Sequence, residues 1–262
     1  MRDISNTEYH AHPALSASGL KALAQSPAHY QASRQYREET PAMRLGSAFH
    51  CAVLEPERFD TEYASADFDR RTKSGKARAA ELEASKTLLL SRDDFDTVQR
   101  MRDAIFAHRT ASELLQTRGG VAESSWFATV DGVECKCRPD WLLMGDSIIV
   151  DLKSTLNANP KDFGRTVFNF GYHLQACHYL RVLQAAEVRA ERFVFVACEK
   201  AAPFGVSVHI LDDAAMELGY TQHNRLLDLY RHCLAVNEWP GYGDEIFVTS
   251  LPAWAYRTTE EI

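Results

Sequence analysis

A chain of 262 residues, 45% hydrophobic and 25% charged, is long enough for one large α/β domain to bury its own core, and a second domain is not required. The formal net charge of −7 excludes a uniformly basic nucleic-acid coat, although a local groove can be positive while the remainder is acidic. No stretch approaches the roughly 20 apolar residues of a membrane span, and Met1 to His10 has neither the basic nor the apolar region of a secretory leader, so a cytoplasmic protein is expected. The six cysteines, Cys51, Cys135, Cys137, Cys177, Cys198 and Cys233, are scattered rather than packed into a small scaffold, which predicts reduced thiols that serve packing.

In chain order, Leu15-Ser16-Ala17-Ser18-Gly19-Leu20 sets hydroxyl caps before an apolar run, and Ser26-Pro27 repeats the signal with proline at a first helical position. Two short helices follow. A third, from Ala42 to Leu54, carries Leu45, Ala48, Phe49, Ala52 and Val53 at helical spacing, holds His50, and stops at Pro56. His10 and His12 sit in a terminus expected to be mobile, and no metal arm is read from them.

Between Asp67 and Arg78 the apolar period disappears, and Arg70, Arg71, Lys73, Lys76 and Arg78 surround Gly75. That predicts a basic loop. Ala79 to Gln116 reads as helix, with Ser91 as an internal cap, ended by Gly119-Gly120. Trp126 to Val130, Asp131-Gly132, and Val133 to Met144 read as a hairpin, and Ser147 to Lys153 as a strand apolar enough to be central in a sheet. Helices are expected over Pro160 to Val167, Tyr172 to Ala185 and Asp213 to Val236, with strands over Arg192 to Cys198 and Gly205 to Leu211. The order predicts a single α/β domain: a helical N-terminal part (1–118), then a central mixed sheet flanked by helices (119–262).

Pro139-Asp140, ten intervening residues and Asp151-Leu152-Lys153 place two carboxylates and an amine on adjacent strands. Such strands lie about 4.8 Å apart, so the carboxylates can converge on one hard cation. Asp151 and Lys153 share a strand face because side chains alternate with period two. Phosphodiester cleavage needs charge neutralised on the phosphate and a water made nucleophilic, which a divalent cation and a lysine supply together. The plain alternative for Asp-x-Lys is a solvated ion pair. Gln175 and Tyr179 lie one helical turn apart, where they can bracket a phosphate or position the lysine. The basic residues at 70–78 suit phosphate contact, or form a solvated charge run.

These motifs, taken in order, resemble the RecB-like branch of the PD-(D/E)xK nucleases, and most closely the exonuclease VIII (RecE) type of phage and prophage recombination nucleases, relatives of lambda exonuclease. The resemblance spans Leu15 to Leu20 with Ser26 to Tyr30, Gly46-Ser47-Ala48-Phe49-His50, Arg71 to Lys76, Arg138-Pro139-Asp140, Asp151-Leu152-Lys153, and Gln175 with Tyr179. It implies the restriction-endonuclease-like core, and Mg²⁺ held by Asp140, Asp151, the Leu152 carbonyl and His50, with Mn²⁺ a possible substitute. Lys153 would act on the attacking water, and Glu123 would be an auxiliary carboxylate. It further implies a 5′-to-3′ exonuclease on linear double-stranded DNA that leaves 3′ single-stranded tails. A ring-shaped homo-oligomer, a tetramer among the options, and a single-strand annealing partner belong to the same expectation. Some relatives carry an iron–sulfur cluster; Ser26 stands where its first cysteine would be, so no cluster is expected here. Alternatives are action on single-stranded or structured DNA, or a non-catalytic DNA-binding module. His173 and His178, flanking Gln175, could approach DNA.

Overall fold

The computed structural model describes residues 1, 4–36, 40–69, 71–85 and 87–251, and its N-terminal helices start where hydroxyl side chains can take up free backbone N–H groups. Ser5 and Glu8 form a reciprocal capping box on α1 (Asn6–Ala11). Ser16 caps α2 (Ala17–Gln25), Ser26 caps α3 (Pro27–Gln35) and Thr40 caps α4 (Pro41–Leu54), the last two with proline in the first turn. Pro56 then opens α5 (Pro56–Glu62).

Two stretches depart from expectation. The basic stretch is a turn only as far as Thr72; Lys73–Ala84 form α6. Thr72 Oγ1 accepts from the Gly75 N–H at 3.0 Å, and Lys, Arg, Ala and Glu favour helix without any apolar stripe, so a solvated helix forms where the apolar period vanishes. A Cβ at Gly75 would stand 2.0 Å from the Asp69 carbonyl oxygen, so glycine is what lets the turn close. The expected helix over Ala79 to Gln116 is likewise divided. Leu88–Leu90 form β2, paired in parallel with β1 (Tyr63–Ser65), before α7 (Arg92–Ala107), capped by Ser91, and α8 (Arg109–Gln116), capped by His108.

The sheet core begins with β3 (Gly120–Ala122), β4 (Trp126–Val130), β5 (Val133–Cys137), β6 (Trp141–Leu143) and β7 (Ile148–Thr155). It continues through α9 (Phe163–Asn169), α10 (Tyr172–Ala185), β8 (Arg192–Glu199), β9 (Val206–Ile210) and α11 (Asp213–Val236). The five-stranded sheet runs β3-β6-β7-β8-β9, with β7 and β8 parallel and the other neighbours antiparallel. It is the expected mixed sheet, with β7 at its centre. The β4–β5 hairpin turns through Asp131 at φ 48° and Gly132 at φ 79°, the two positive values that a tight hairpin turn demands. Expectation ran that second strand on to Met144; instead it breaks at Arg138-Pro139, because proline cannot donate to a ladder, and Trp141 onward joins the other sheet.

One face of the sheet packs Ile149, Phe193, Phe195 and Ala197 against α2, α10 and the hairpin. The other packs Val150, Leu152, Val196 and Cys198 against α4 and α7. Phe195 is fully buried at the centre, so Phe195→Ala is expected to lower stability by about 3–5 kcal/mol, read as a shift of the urea midpoint.

The N-terminal segment, expected to be mobile, is hydrogen-bonded to the hairpin. Lys136, buried on β5, donates to the Tyr9 carbonyl at 2.5 Å and the His12 carbonyl at 2.8 Å, holding the end of α1. Arg138 reaches the Ile4 carbonyl and Ser125 Oγ, each at 2.8 Å. His12 accepts from the Ala14 N–H at 3.2 Å through Nδ1.

His178 and His223 are fully buried between α10 and α11, which corrects the expectation that His178 approaches DNA. A guanidinium only donates, so Arg181 at 2.8 Å makes His223 Nδ1 an acceptor. His223 Nε2–H then donates to His178 Nδ1 at 3.0 Å, and His178 Nε2–H to the Lys136 carbonyl at 3.0 Å. Both rings are neutral in this chain of donors. Burial pushes His178 down to about 4, and burial, with His178 and Arg181, pushes His223 down to about 3, from an ordinary 6.5. Because the folded values are depressed, the unfolded chain binds more protons as pH falls below 6.5. Stability is therefore whole above that value and lost toward pH 4, by about 1.4 kcal/mol per unit for each proton taken up. Urea unfolding at pH 7.5, 5.5 and 4.5 of the wild type against His223→Gln checks this, since the raised Glu123 and Asp140 carboxyls act in the opposite direction in both; the same pH dependence in the two proteins would contradict it.

Candidate active site

The short turn between β6 and β7 sets Trp141 opposite Val150, so Asp140, one residue before β6, stands beside the Asp151 end of the central strand. Asp140 Oδ2 accepts from the Leu152 N–H at 2.7 Å. In a strand the N–H and C=O of one residue face the same neighbour, so the Leu152 carbonyl is directed to the same side.

Glu123 continues the β3–β6 pairing beyond its last register pair: its N–H donates to the Asp140 carbonyl at 3.1 Å. Its φ of 45° is uncommon for a residue with a side chain, a local strain that redirects the chain as β3 ends. From α4, His50 places Nδ1 3.5 Å from Asp140 Oδ2. Donor atoms of His50, Glu123 and Asp140 all lie within 4.8 Å of one another. Burial, then Asp140, pushes the Glu123 carboxyl up to about 8. Burial raises Asp140 to about 6, with His50 opposing and Asp151 adding to the shift. Crowded carboxylates whose charge is this costly are what a cation relieves.

Asp151 is 1% exposed and belongs to a second group. Its Oδ1 accepts from Gln175 Nε2 at 2.6 Å, and its Oδ2 faces Lys153 Nζ at 2.5 Å. Oδ2 is buried against that ammonium. Lys153 Nζ also donates to Gln175 Oε1 at 3.3 Å and stands 4.5 Å from the Tyr172 ring centre. Burial works against its charge, yet Asp151 and Asp140 outweigh burial and hold the ammonium above its ordinary pKa. Gln175 is thus a clamp: its amide fixes the carboxylate and the ammonium at once.

The expected site residues therefore fall into two adjoining groups, His50, Glu123 and Asp140 in one and Asp151, Lys153 and Gln175 in the other, linked by Leu152 and Asp140. Tyr179 follows one turn after Gln175 and sets its ring edge-on to Phe193 at 5.9 Å. The basic residues stand apart. Arg71 is exposed and paired with Asp69, Arg78 with Glu81, and Lys73 and Lys76 are exposed on α6, which packs on β2. Arg70 lies outside the described residues. His173 is buried with Nε2 2.8 Å from Gln222 Oε1. Two contributors escaped the sequence reading, Tyr172 and Lys21, whose Nζ donates to Gln175 Oε1 at 3.2 Å. The available signal at Lys21 was a lone cation inside the apolar run of α2.

A family model described as a PDDEXK-like domain of unknown function (DUF3799) matches residues 16–250. The chain belongs to this family. Among solved structures, the PDDEXK-like chain is similar to a "putative exonuclease" from Eubacterium rectale, at 15% identity and a TM-score of 0.63, with 98% of each chain covered. Identity this low shows shared fold alone. It also matches a phage related exonuclease from Haemophilus somnus 129PT, at 10% identity over 87% of this chain and 97% of that one, TM-score 0.38. An alkaline exonuclease from Laribacter hongkongensis matches at 15% identity over 73% and 96%, TM-score 0.32. Those two scores are too low to add to the comparison. No curated protein matches the chain.

PD-(D/E)xK nucleases use divalent metals, and the residues present fit one. Carboxylates and a strand carbonyl are hard oxygen donors, and a single imidazole is compatible with Mg²⁺ or Mn²⁺.

Proposed function

We propose that this protein is a divalent-metal-dependent DNA exonuclease that hydrolyses phosphodiester bonds from the ends of linear duplexes. The observation that carries this reading is the joining of Asp151, Lys153 and Gln175 to the His50, Glu123 and Asp140 cluster through Asp140 and Leu152. The similar structure from Eubacterium rectale, itself named a "putative exonuclease", agrees with it.

Asp140, Asp151, His50, Glu123 and the Leu152 carbonyl are the residues that would hold the metal, Mg²⁺ in the first instance. Bound there, it would supply charge neutralisation at the phosphate and lower the pKa of a water. Lys153 is held as an ammonium, so its part is to donate to the attacking water or a phosphate oxygen rather than to remove a proton. Gln175 fixes that ammonium and Asp151 before substrate arrives, so no reorganisation is needed at the moment of reaction. Tyr179 lines α10 behind Gln175, and Arg71, Lys73, Lys76 and Arg78 supply an exposed basic face for the phosphate backbone.

The finer parts of the proposal follow the family resemblance: 5′-to-3′ polarity, release of 3′ tails, a homo-oligomeric ring and delivery of those tails to an annealing protein. A 5′-phosphorylated linear duplex and a covalently closed circle, each with Mg²⁺ and with chelator, test the core of it. Loss of the linear duplex alone, and only with metal, is expected, and end labels then read polarity. Attack on the circle would favour an endonuclease acting on structured DNA. Survival of both would move the protein to a DNA-binding module.

A further inference from the structure

Lys21 stands outside the roles described above. Its ammonium and that of Lys153 both donate to a single oxygen, Gln175 Oε1, at 3.2 and 3.3 Å. Both also lie against the Tyr172 ring, at 5.1 and 4.5 Å from its centre. Two cations thus share one neutral acceptor and one aromatic ring. Asp151 meets Lys153 at 2.5 Å, whereas no carboxylate of a described residue lies within ion-pair distance of Lys21.

Like charges held this close in a half-buried place repel, and burial, then Lys153, pushes the Lys21 amine down to about 8. An arriving anion removes that penalty for both. The position is also built rather than accidental. Gly171 turns into α10 at φ 61° with the Lys21 stem 3.4 Å from where its Cβ would be, so the aliphatic chain is laid along the start of α10 and its end is carried to Gln175.

We propose that Lys21 is a phosphate-binding residue of the active site, holding a non-bridging oxygen of the DNA phosphate group presented to Lys153. The proposal rests on the nuclease reading of that site. It divides the two lysines: Lys153, tied to Asp151, serves the chemical step, and Lys21, free of a carboxylate, serves phosphate grip. The same chemistry would come from an internal phosphodiester or from a terminal 5′-phosphate, and the two are separable.

Fluorescent duplexes ending in 5′-phosphate or 5′-hydroxyl are titrated in Ca²⁺ and in chelator against the full chain, Lys21→Met and Lys21→Arg, over a range of salt. Lys21→Met, which keeps the stem, is expected to weaken binding about tenfold, the loss of one charge-assisted bond. The slope of log affinity against log salt should become shallower by about 0.9, and Lys21→Arg should restore most of both. Loss on both duplexes locates the scissile phosphodiester; loss confined to the 5′-phosphate duplex locates the terminal group. Equal affinity and equal slope for wild type and Lys21→Met would overturn the assignment. Absence of DNA binding by the wild type would instead overturn the nuclease reading itself. Thermal midpoints control for folding, with Lys21→Gln as the substitute variant if methionine disturbs the packing.

Discussion

Replacing Lys153 by alanine is expected to lower kcat by about 10²–10³-fold, the usual effect of removing one preorganised donor to developing charge, while DNA binding changes little. The reason lies in its partners. Lys153 is tied to Asp151 at 2.5 Å and to Gln175 at 3.3 Å, so in the proposed mechanism it serves the reacting group, not the backbone. The substitution also strands a carboxylate that is 1% exposed, and breaking a buried pair in this way costs about 3–5 kcal/mol. The measurement must therefore pair single-turnover rates with unfolding curves. Lys153→Arg keeps the charge and the fold but not the compact ammonium, and should remain slow. Unchanged turnover in Lys153→Ala, with the fold intact, would remove Lys153 from the mechanism.

Asp140→Asn is expected to weaken the apparent affinity for Mg²⁺ by about 10–100-fold and to lower the rate at fixed metal accordingly. The amide oxygen can still accept from the Leu152 N–H, which Asp140 does now at 2.7 Å, so the strand ends stay in register and the loss is of charge. This makes Asp140 a cleaner probe than Asp151, whose neutralisation would also leave the Lys153 ammonium unpaired. Activity as a function of Mg²⁺ and then Mn²⁺ reads the effect; partial recovery in Mn²⁺, which tolerates softer donors, is the expected pattern. An unchanged metal titration would take Asp140 out of the ligand set.

Much of the site was legible because it is written at short range. Asp151 and Lys153 share a face by strand alternation alone, and α10 begins at Tyr172 and ends at Ala185 as its apolar pattern indicates. Period two, period 3.6, hydroxyl caps and the Asp-Gly turn are local physics, and a chain obeys them wherever tertiary packing does not object. Where local physics was silent, expectation failed. Nothing in Leu88-Leu89-Leu90 distinguishes a helical turn from β2, whose identity comes from pairing with β1, 25 residues away in register at Tyr63 and Leu88. Nothing in Lys73 to Arg78 advertises a helix beyond the propensity of its residues.

By itself, the sequence determined the mixed α/β core, the central strand, the helix carrying Gln175 and the residue types needed for metal-assisted hydrolysis. Only the tertiary structure decided how those residues are grouped. Glu123 reaches Asp140 through the pairing of β3 with β6, His50 arrives from a helix on the opposite face of the sheet, and Lys21 is delivered to Gln175 by the packing of α2 on α10. Contacts between residues 17 to 154 positions apart carry no local periodicity. They exist because both faces of one sheet must be buried under helices, which brings elements distant in sequence together.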